Sequence, residues 1–446
     1  MALTGLEIYK QLPKTNCGKC GSPTCLAFAM QLSAKKTSLD KCPDISVEAK
    51  AALEGASAPP IRLISIGAGD NKLEVGNETV MFRHEQTFFH PCGLGVEIKD
   101  TVQGADLEAG IEKINKLCFE RVGQTIKVEL ICVRNESNDA QKFASCVEQI
   151  QAKTKLALVL ASDKAEVIEA ALKVCASAKP LIHAANASNL EAMVKLAKEH
   201  NCPLAVKGKG LDELSTLTPR ITAAGVEDIV LDAASADPLE TISDLVHIRR
   251  LALKKNFRPL GYPVIVFTDA GDPQEEVMQA VSYISKYAGI VILTGDEPWQ
   301  ALPLVTLRQN LYTDPQKPIQ VEAKVYEIGK VNVDSPVIVT TNFSLTYFTV
   351  EGEVEAGKIG TYVVVVDTEG QSVLTAFAAD KLTAEGTAKM LNESALAEKL
   401  NHKKVIIPGY ISVMSGKLQE ESGWEVLVGP REASALPAYM RNVWQS

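Results

Sequence analysis

The sequence predicts an α/β protein in three parts: a small cysteine-rich N-terminal domain, a central TIM (β/α)8 barrel, and a C-terminal Rossmann-like doubly wound sheet. Three observations predict it. Cys17, Cys20, Cys25 and Cys42 crowd the start of the chain, and Pro43 follows the last of them. Eight short apolar runs then alternate with amphipathic stretches between Thr79 and Leu293, the strand–helix rhythm of a closed barrel. The rhythm resumes after Val337 around Val363-Val364-Val365-Val366, a run that implies a strand buried on both faces.

With 446 residues the chain is too long for one core. Two proline-bearing linkers divide it: Gly55-Ala56-Ser57-Ala58-Pro59-Pro60 and Tyr312-Thr313-Asp314-Pro315-Gln316-Lys317-Pro318. The expected domains are 1–57, 58–312 and 319–446. A net charge of −9 argues against nucleic acid as the main partner. No apolar run is long enough to span a membrane and Met1–Lys14 does not read as a signal peptide, so the expected compartment is the cytoplasm. Beyond the first four, Cys92, Cys118, Cys132, Cys146, Cys175 and Cys202 are scattered singly, as small buried hydrophobes are.

In the first domain the spacing C-x2-C-x4-C-x16-C-P makes a four-thiolate site for a soft metal centre, with Gly18 and Gly21 letting the loop turn back. Spacing alone allows an iron–sulfur cluster, a structural zinc or no metal, in that order. Ser22-Pro23 reads as a helix N-cap followed by Pro at the first helical position, so a helix is expected over Pro23–Lys36. Cys25 then lies in its first turn, facing the positive end of the helix dipole. Leu26, Met30 and the Phe28/Leu32 side are expected to shield the site. A domain this small rarely folds without a staple, which a metal centre would supply.

In the barrel the expected strands are Thr79–Arg83, Ile126–Val133, Leu156–Ala161, Leu181–Ala184, Leu204–Lys207, Ile229–Leu231, Val264–Thr268 and Ile290–Leu293. Helices Ala165–Ala178, Leu190–His200 and Pro238–Lys255 lie between them, and a hairpin of Arg62–Ile66 with Lys72–Val75 precedes them. Polar residues follow these strands: Arg83-His84-Glu85, Arg134-Asn135, Asp163, Asn186, Lys207 with Lys209, Asp232, Asp269 and Asp296. That is where barrel active sites lie, but Asp163, Asn186 and Asp269 also sit where helix N-caps belong. No nucleophile with its base and no metal-binding histidine pair stands out, so a scaffolding or docking barrel is favoured over a catalytic one.

The last domain is expected to carry strands Val337–Val339, Tyr362–Val366, Lys404–Ile407 and Glu425–Val428, with helices Ser344–Val354, Val373–Asn392 and Ser434–Val443. Open α/β sheets bind ligands at the carboxyl ends of their strands. The loops there are Thr340-Thr341-Asn342, Asp367–Ser372, Pro408–Gly416 and Gly429-Pro430, rich in glycines and hydroxyls. By themselves they indicate a cofactor-sized ligand or ordinary turns equally well. With no G-x-G-x-x-G and no P-loop, a dinucleotide or nucleoside triphosphate is not expected.

Three stretches carry a resemblance along the whole chain in the same domain order. They are Thr15–Cys25, Gly409-Tyr410-Ile411-Ser412-Val413-Met414-Ser415-Gly416, and Gly423-Trp424. With the barrel between them, the chain resembles the large (gamma) subunit of the corrinoid iron–sulfur protein of the reductive acetyl-CoA (Wood–Ljungdahl) pathway of carbon fixation. The resemblance implies a 4Fe–4S cluster on Cys17, Cys20, Cys25 and Cys42 and a corrinoid in the last domain. It implies a methyl carrier more than a stand-alone enzyme, of the transferase class if one is assigned. The corrinoid cobalt, as Co(I), would take a methyl group from methyltetrahydrofolate through a separate methyltransferase and give it to acetyl-CoA synthase. The cluster would return Co(II) to Co(I). The implied partners are a small barrel subunit in a heterodimer, the methyltransferase, acetyl-CoA synthase/CO dehydrogenase and a low-potential electron donor, with no nucleic acid and no membrane.

Implied corrin contacts are Thr340, Thr346, Gly370, Gln371, Ser372 and Val373, then Gly409, Tyr410, Ser412, Ser415 and Gly416. Many corrinoid proteins carry D-x-H-x-x-G, whose histidine ligates cobalt from below. The C-terminal domain has only His402, in Leu400-Asn401-His402-Lys403-Lys404-Val405, without that Asp or Gly. The resemblance therefore implies a base-off, cobalamin-type corrinoid with no protein histidine ligand. The alternative reading is an iron–sulfur enzyme whose barrel itself binds a folate and transfers the methyl group.

Overall fold

The computed structural model describes residues 5–33, 37, 39–46, 49, 53, 59–268, 270–314 and 318–444. Residues 34–36 of the expected first helix, 55–58 and 315–317 of the two linkers, and Asp269 lie outside them. The chain divides into two compact units, Met1–Cys118 with Lys127–Tyr312, and Phe119–Ile126 with Thr313–Ser446.

The first unit opens on two short helices, α1 (Gly5–Gln11) and α2 (Cys25–Ser33), packed through Ile8, Leu12, Phe28 and Ala29, with Cys25 and Cys42 in the same core. The cap of α2 differs from the expected one. Thr24 Oγ1 accepts the Ala27 N–H at 3.0 Å, the N-cap geometry, while Ser22 Oγ donates to Gln31 Oε1 at 3.1 Å. Leu26 and Met30, expected to shield the cysteines, are 41% and 57% exposed. Only Phe28 of that face is fully buried, because α1, which was not foreseen, covers its side of the helix.

Two strands, β1 (Ile64–Ile66) and β2 (Leu73–Val75), then form the expected antiparallel hairpin. Its Ile64, Ile66 and Val75 share one core with inward-facing barrel residues such as Leu130, Ala157, Leu181 and Ile290. The hairpin thereby plugs the end at which the barrel strands begin. Eight parallel strands make the barrel: β3 (Gly93–Lys99), then, beyond a hairpin β4 (Cys118–Arg121) and β5 (Gln124–Lys127), β6 (Leu130–Arg134), β7 (Ala157–Ala161), β8 (Leu181–Ala185), β9 (Leu204–Lys207), β10 (Ile229–Asp232), β11 (Ile265–Phe267) and β12 (Ile290–Leu293). Their order is β10-β9-β8-β7-β6-β3-β12-β11, and one parallel bridge between Leu231 and Val264 nearly closes the ring. Alternate residues face the barrel interior (Cys132, Val159) and the helical layer (Ile131, Leu158), and all four are buried, as parallel strands require.

Two expected barrel strands are corrected. Thr79–Arg83 is a turn, closed by Glu85 Oε2, which accepts the Met81 and Phe82 N–H groups at 3.1 and 3.2 Å. The first barrel strand is β3 instead, hidden in the sequence by Gly93 and Gly95, residues that disfavour strands. The glycines are there for space: a Cβ on either would lie 2.7 Å from a neighbouring side-chain carbon, of Leu73 or Ile292 respectively. Ile126–Val133 is not one strand either. Its first residues belong to β5, joined to β4 through Val122 (φ 53°) and Gly123 (φ 68°), the backbone of a type I′ turn. The turn packs in the second unit, where a Cβ on Gly123 would meet the Phe348 ring at 2.6 Å.

Seven helices accompany the barrel: α3 (Gly104–Asn115), α4 (Ala140–Lys153), α5 (Ala165–Cys175), α6 (Leu190–His200), α7 (Gly210–Ala223), α8 (Pro238–Lys255) and α9 (Pro273–Ser285), before α10 (Pro298–Tyr312) ends the unit. From α10, the buried Arg308 forks onto both oxygens of Glu129 at 2.6 Å and donates to the carbonyls of Cys92 and Lys127 at 2.8 Å. Arg308→Met strands the Glu129 carboxylate and is expected to destabilise the unit by about 3 kcal/mol or more. A lower urea midpoint followed by circular dichroism checks it.

The second unit holds one five-stranded sheet in the order β13-β15-β14-β16-β17. The strands are β13 (Val325–Ile328), β14 (Val337–Thr341), β15 (Thr361–Val366), β16 (Lys404–Ile407) and β17 (Glu425–Val428), all parallel except the unforeseen edge strand β13. Val364 and Val366 pack in one core with α12 (Val373–Ala378), α13 (Ala384–Glu393), α14 (Leu396–Lys399) and α15 (Ser415–Ser422). Val363 and Val365 pack in another, with α11 (Ser344–Gly357) and α16 (Leu436–Val443). The valine run is thus buried on both faces, between two helical layers. The single helix expected over Val373–Asn392 breaks after Ala378: Asp380 is left-handed (φ 54°), and Thr383 Oγ1 caps the restart by accepting the Gly386 N–H at 3.1 Å.

Candidate functional site

Cys17 and Cys20 lie on the loop from α1 to α2, Cys25 begins α2, and Cys42 follows a short 3-10 turn at Leu39–Lys41. Asn16 (φ 51°), Gly18 (φ 71°) and Gly21 (φ 81°) wind the loop back, and no atom lies within 4 Å of a Cβ placed on either glycine. The Asn16 carboxamide accepts the Cys25 N–H at 2.8 Å, and the Asn16 N–H donates to Cys25 Sγ at 3.4 Å. Lys19 and Asp44, 3.1 Å apart, tie the loop to the segment after Cys42. Burial pushes the Cys42 thiol up, opposed by a hydrogen bond from the Asp44 backbone, and the charges of Cys20, Cys25 and Cys17 push it further. The Cys42 sulfur thus feels the other three. Among the described residues no group of three or more His, Cys, Asp or Glu is placed to hold a single metal ion. Four soft donors, with amide N–H groups on the sulfur of Cys25 and Cys42, are a donor set that suits a thiolate-ligated centre.

The second candidate site lies in the other unit, at the carboxyl ends of its parallel strands. The chain passes from β14 to β15 on one side and returns to β16 on the other, so the topological switch point falls between β14 and β16. A cavity of about 100 Å³ opens there, lined by Thr340, Thr346, Val373, Pro408, Pro430 and Arg431 among others. Thr340 Oγ1 in that lining is buried without a hydrogen-bond partner, and so are Thr341 Oγ1, Ser344 Oγ and Gln371 Oε1, which lie on the segments that follow β14 and β15 or end β14. Four orphaned polar atoms at one sheet end are a costly arrangement that a bound polar ligand would relieve. Beside them Leu345, Leu374 and Val413 are 49%, 51% and 79% exposed, apolar surface in want of a cover.

Of the predicted contacts, Thr340, Thr346 and Val373 meet in this cavity, and the others lie on the segments that follow β15 and β16. Gly370 (φ 73°) and Gln371 form the turn before α12, where Ser372 Oγ lies 3.0 Å from Thr375 Oγ1. Gly409 admits the close approach of Gly429, whose carbonyl oxygen would lie 2.6 Å from an added Cβ. Tyr410 donates its hydroxyl to Glu432 at 3.0 Å. Ser412, Ser415 and Gly416 follow on the same loop, and among the described residues neither serine hydroxyl has a partner. Asn342 is not a free contact. Its carboxamide oxygen accepts the N–H groups of Thr368 and Gly370 and the Thr368 hydroxyl, each at 3.0 Å, and its nitrogen donates to Asp367 at 2.9 Å and Gln320 at 3.2 Å. It clamps the loop that precedes α12. Leu345 and Leu374 are not among the predicted contacts, although an exposed apolar residue in the first turn of a helix and out of phase with its buried stripe is a readable signal.

His402 stands at the opposite end of the strands, before β16 begins. Its Nε2 lies 3.0 Å from the Ser335 carbonyl, its Nδ1 accepts the Lys404 N–H at 3.2 Å, and its ring packs against Trp444. Both nitrogens are spent, and burial lowers its pKa.

Residues 63–440 match the family described as "CO dehydrogenase/acetyl-CoA synthase delta subunit", and residues 12–43, which hold all four cysteines, match "Putative Fe-S cluster". The corrinoid/iron–sulfur protein large subunit of Moorella thermoacetica is 50% identical over 441 residues, 99% of each chain. The chain belongs to the family of corrinoid/iron–sulfur protein large subunits. The acetyl-CoA decarbonylase/synthase complex gamma subunits of Methanothermobacter thermautotrophicus and Methanocaldococcus jannaschii are 39% and 32% identical to it. The first match covers 99% of both chains, and the second covers 99% of this chain and 96% of that one. Among the described residues of this family member, no helix is long and apolar enough to cross a membrane.

The barrel of this corrinoid/iron–sulfur large subunit gathers some of the polar residues expected at its mouth and not others. Arg134, Lys207 and Asp232 line one cavity of about 300 Å³ with His183 and Phe267. Arg83, His84 and Glu85 lie in the turn before β3. Asn135 donates to Asp100 at 2.6 Å, and Asp296 pairs with Lys113 at 2.8 Å. The side-chain oxygen of Asn186 accepts the Ser188 N–H at 2.9 Å in a turn. The Lys209 N–H is held by Glu213 at 2.6 Å, while the Asp163 side chain is exposed. His183 was missed because it sits inside an apolar strand, where a lone histidine reads as core.

Proposed function

We propose that this large subunit is a methyl carrier, holding a corrinoid across the carboxyl end of the second unit's sheet and a 4Fe–4S cluster on Cys17, Cys20, Cys25 and Cys42. When bound, the corrinoid supplies a cobalt that accepts and releases a methyl group, and the cluster supplies the electron that restores cobalt lost to oxidation. The observation that carries the reading is the coincidence, at the switch point, of orphaned oxygens with uncovered apolar side chains. A cavity of about 100 Å³ cannot swallow a tetrapyrrole-sized ring, so the ring would lie over the rim. Leu345, Leu374 and Val413 would then meet its face. Thr340, Thr346, Gln371, Ser372, Ser412 and Ser415 would bond its amide edges, while Gly370, Gly409 and Gly416 let the backbone approach. Val373 and Tyr410 complete the contact set.

The sequence 1–57, 58–312 and 319–446 is read as cluster domain, barrel and corrinoid domain. The methyl donor is read as methyltetrahydrofolate acting through a methyltransferase, and the acceptor as acetyl-CoA synthase. A small barrel subunit would be the heterodimer partner, a low-potential donor would feed the cluster, and the setting would be the cytoplasm. A visible spectrum tests the whole: anaerobically purified protein, reconstituted with its small subunit and a corrinoid, is expected to show cluster and corrinoid bands together. Cluster bands without bound corrinoid would sink the carrier reading, and a colourless zinc protein would sink both halves.

The reading also places no protein ligand below cobalt, since His402 is spent at the far end of the strands. His402→Ala is therefore expected to leave the corrinoid spectrum unchanged. A shifted corrinoid band in that variant would make His402 a ligand.

A further inference from the structure

We propose that the mouth of the barrel is a binding site for a small organic anion, whose carboxylate or phosphate oxygens meet Arg134 and Lys207. The site is separate from the corrinoid reading and does not rest on it. The cavity, of about 300 Å³, lies at the carboxyl end of the barrel strands, where barrel folds place their ligand sites. Its floor is built from buried polar groups. His183, 5% exposed, stands with Nε2 2.8 Å from Oδ2 of Asp232, itself 8% exposed, and Asp232 Oδ1 accepts the Ala234 N–H at 2.9 Å. Burial works against ionisation of Asp232, yet the hydrogen bonds with His183 and the Ala234 N–H, and the charge of Lys207, hold the carboxyl low. Both oxygens of that carboxylate are engaged.

The donors above it are not. Arg134 spends only Nε, on Glu97 at 2.5 Å, and its guanidinium lies over the Phe267 ring, 4.9 Å from the centroid. Among the described residues nothing meets its two terminal nitrogens, and nothing hydrogen-bonds the Lys207 ammonium. Asp244, the other carboxyl lining the cavity, accepts from Ser235 at 2.9 Å, and burial pushes its pKa up, which softens its opposition to an anion. The unspent hydrogen-bonding capacity facing this cavity is thus mainly cationic donor, in the fork-and-point arrangement that suits a carboxylate or phosphate. The Phe267 ring, already flanked by His183 at 4.9 Å, offers an apolar wall for the rest of a ligand.

The test is titration calorimetry on the full chain, purified anaerobically, with inorganic phosphate and with succinate as probes. Saturable binding of at least one probe is expected, weakened at least tenfold by Lys207→Gln and by Arg134→Met and unchanged by the remote surface variant Lys195→Gln. Lys207 is half-buried and bonded to nothing, so its variant keeps the test open even if Arg134→Met loses the fold through Glu97. Phosphate alone would mark a phosphorylated ligand, succinate alone a carboxylate, and both a general oxyanion site. Each of these supports the proposal. No saturable binding, or binding that Lys207→Gln leaves unchanged, overturns it.

Discussion

Cys20→Ala is expected to abolish the brown iron–sulfur absorbance of this subunit while leaving methyl transfer from pre-reduced protein intact. The thiol is half-buried and sits at the fringe of the α1–α2 core, whose packing runs through Ile8, Phe28 and Ala29. Its loss therefore removes a donor without opening that core. Three thiolates remain, and a four-donor cluster held by three is prone to lose iron. A segment this short draws much of its order from its metal centre, so the N-terminal segment should also become more susceptible to protease. Activity is expected to decline only as cobalt is oxidised over repeated turnovers, with no reductant at hand to restore it. A variant that failed in a single turnover from the reduced state would show that the cluster does more than repair.

Asn342→Ala is expected to lower corrinoid retention at least tenfold while the sheet still folds. One buried carboxamide, 3% exposed, holds Thr368, Gly370, Asp367 and Gln320. Removing it leaves two buried N–H groups without acceptors, at about 1–3 kcal/mol each. That is enough to release the loop carrying Gln371 and the start of α12. The hydrophobic cores on either face of the sheet do not include Asn342, so the unit keeps its strands. Corrinoid content after gel filtration reads the loss, and far-UV circular dichroism reads the fold. Full retention of the corrinoid would show that this loop does not bear on the cofactor.

Much of this architecture is legible in the sequence because it depends on local periodicity. Strands β7, β8, β9 and β12 are short, apolar and bounded by turn residues, and they lie where the pattern puts them. The valine run of β15 announces burial on both faces. Elements whose residues answer to distant neighbours are not legible in that way. Gly93 and Gly95 look like turn residues until Leu73 and Ile292 are seen to occupy the space where their side chains would go. Ile126 and Lys127 read as the start of a barrel strand, but they belong to the Cys118–Lys127 hairpin, whose tip packs within the C-terminal unit. Asn342 reads as one more residue of a strand-end loop until its five side-chain hydrogen bonds appear.

The sequence by itself determined the α/β class, the cysteine quartet at its spacing and the absence of a D-x-H-x-x-G motif, because each is a matter of residue identity and order along the chain. Only the tertiary structure decided that Thr340, Thr346 and Val373 share a cavity, that His402 is committed at the opposite end of the strands, and that His183 and Asp232 meet in one cavity with Arg134 and Lys207 at the barrel mouth. These pairings join residues as far apart in sequence as Arg134 and Asp232 through strand order and register, and no local pattern encodes which strand ends lie side by side.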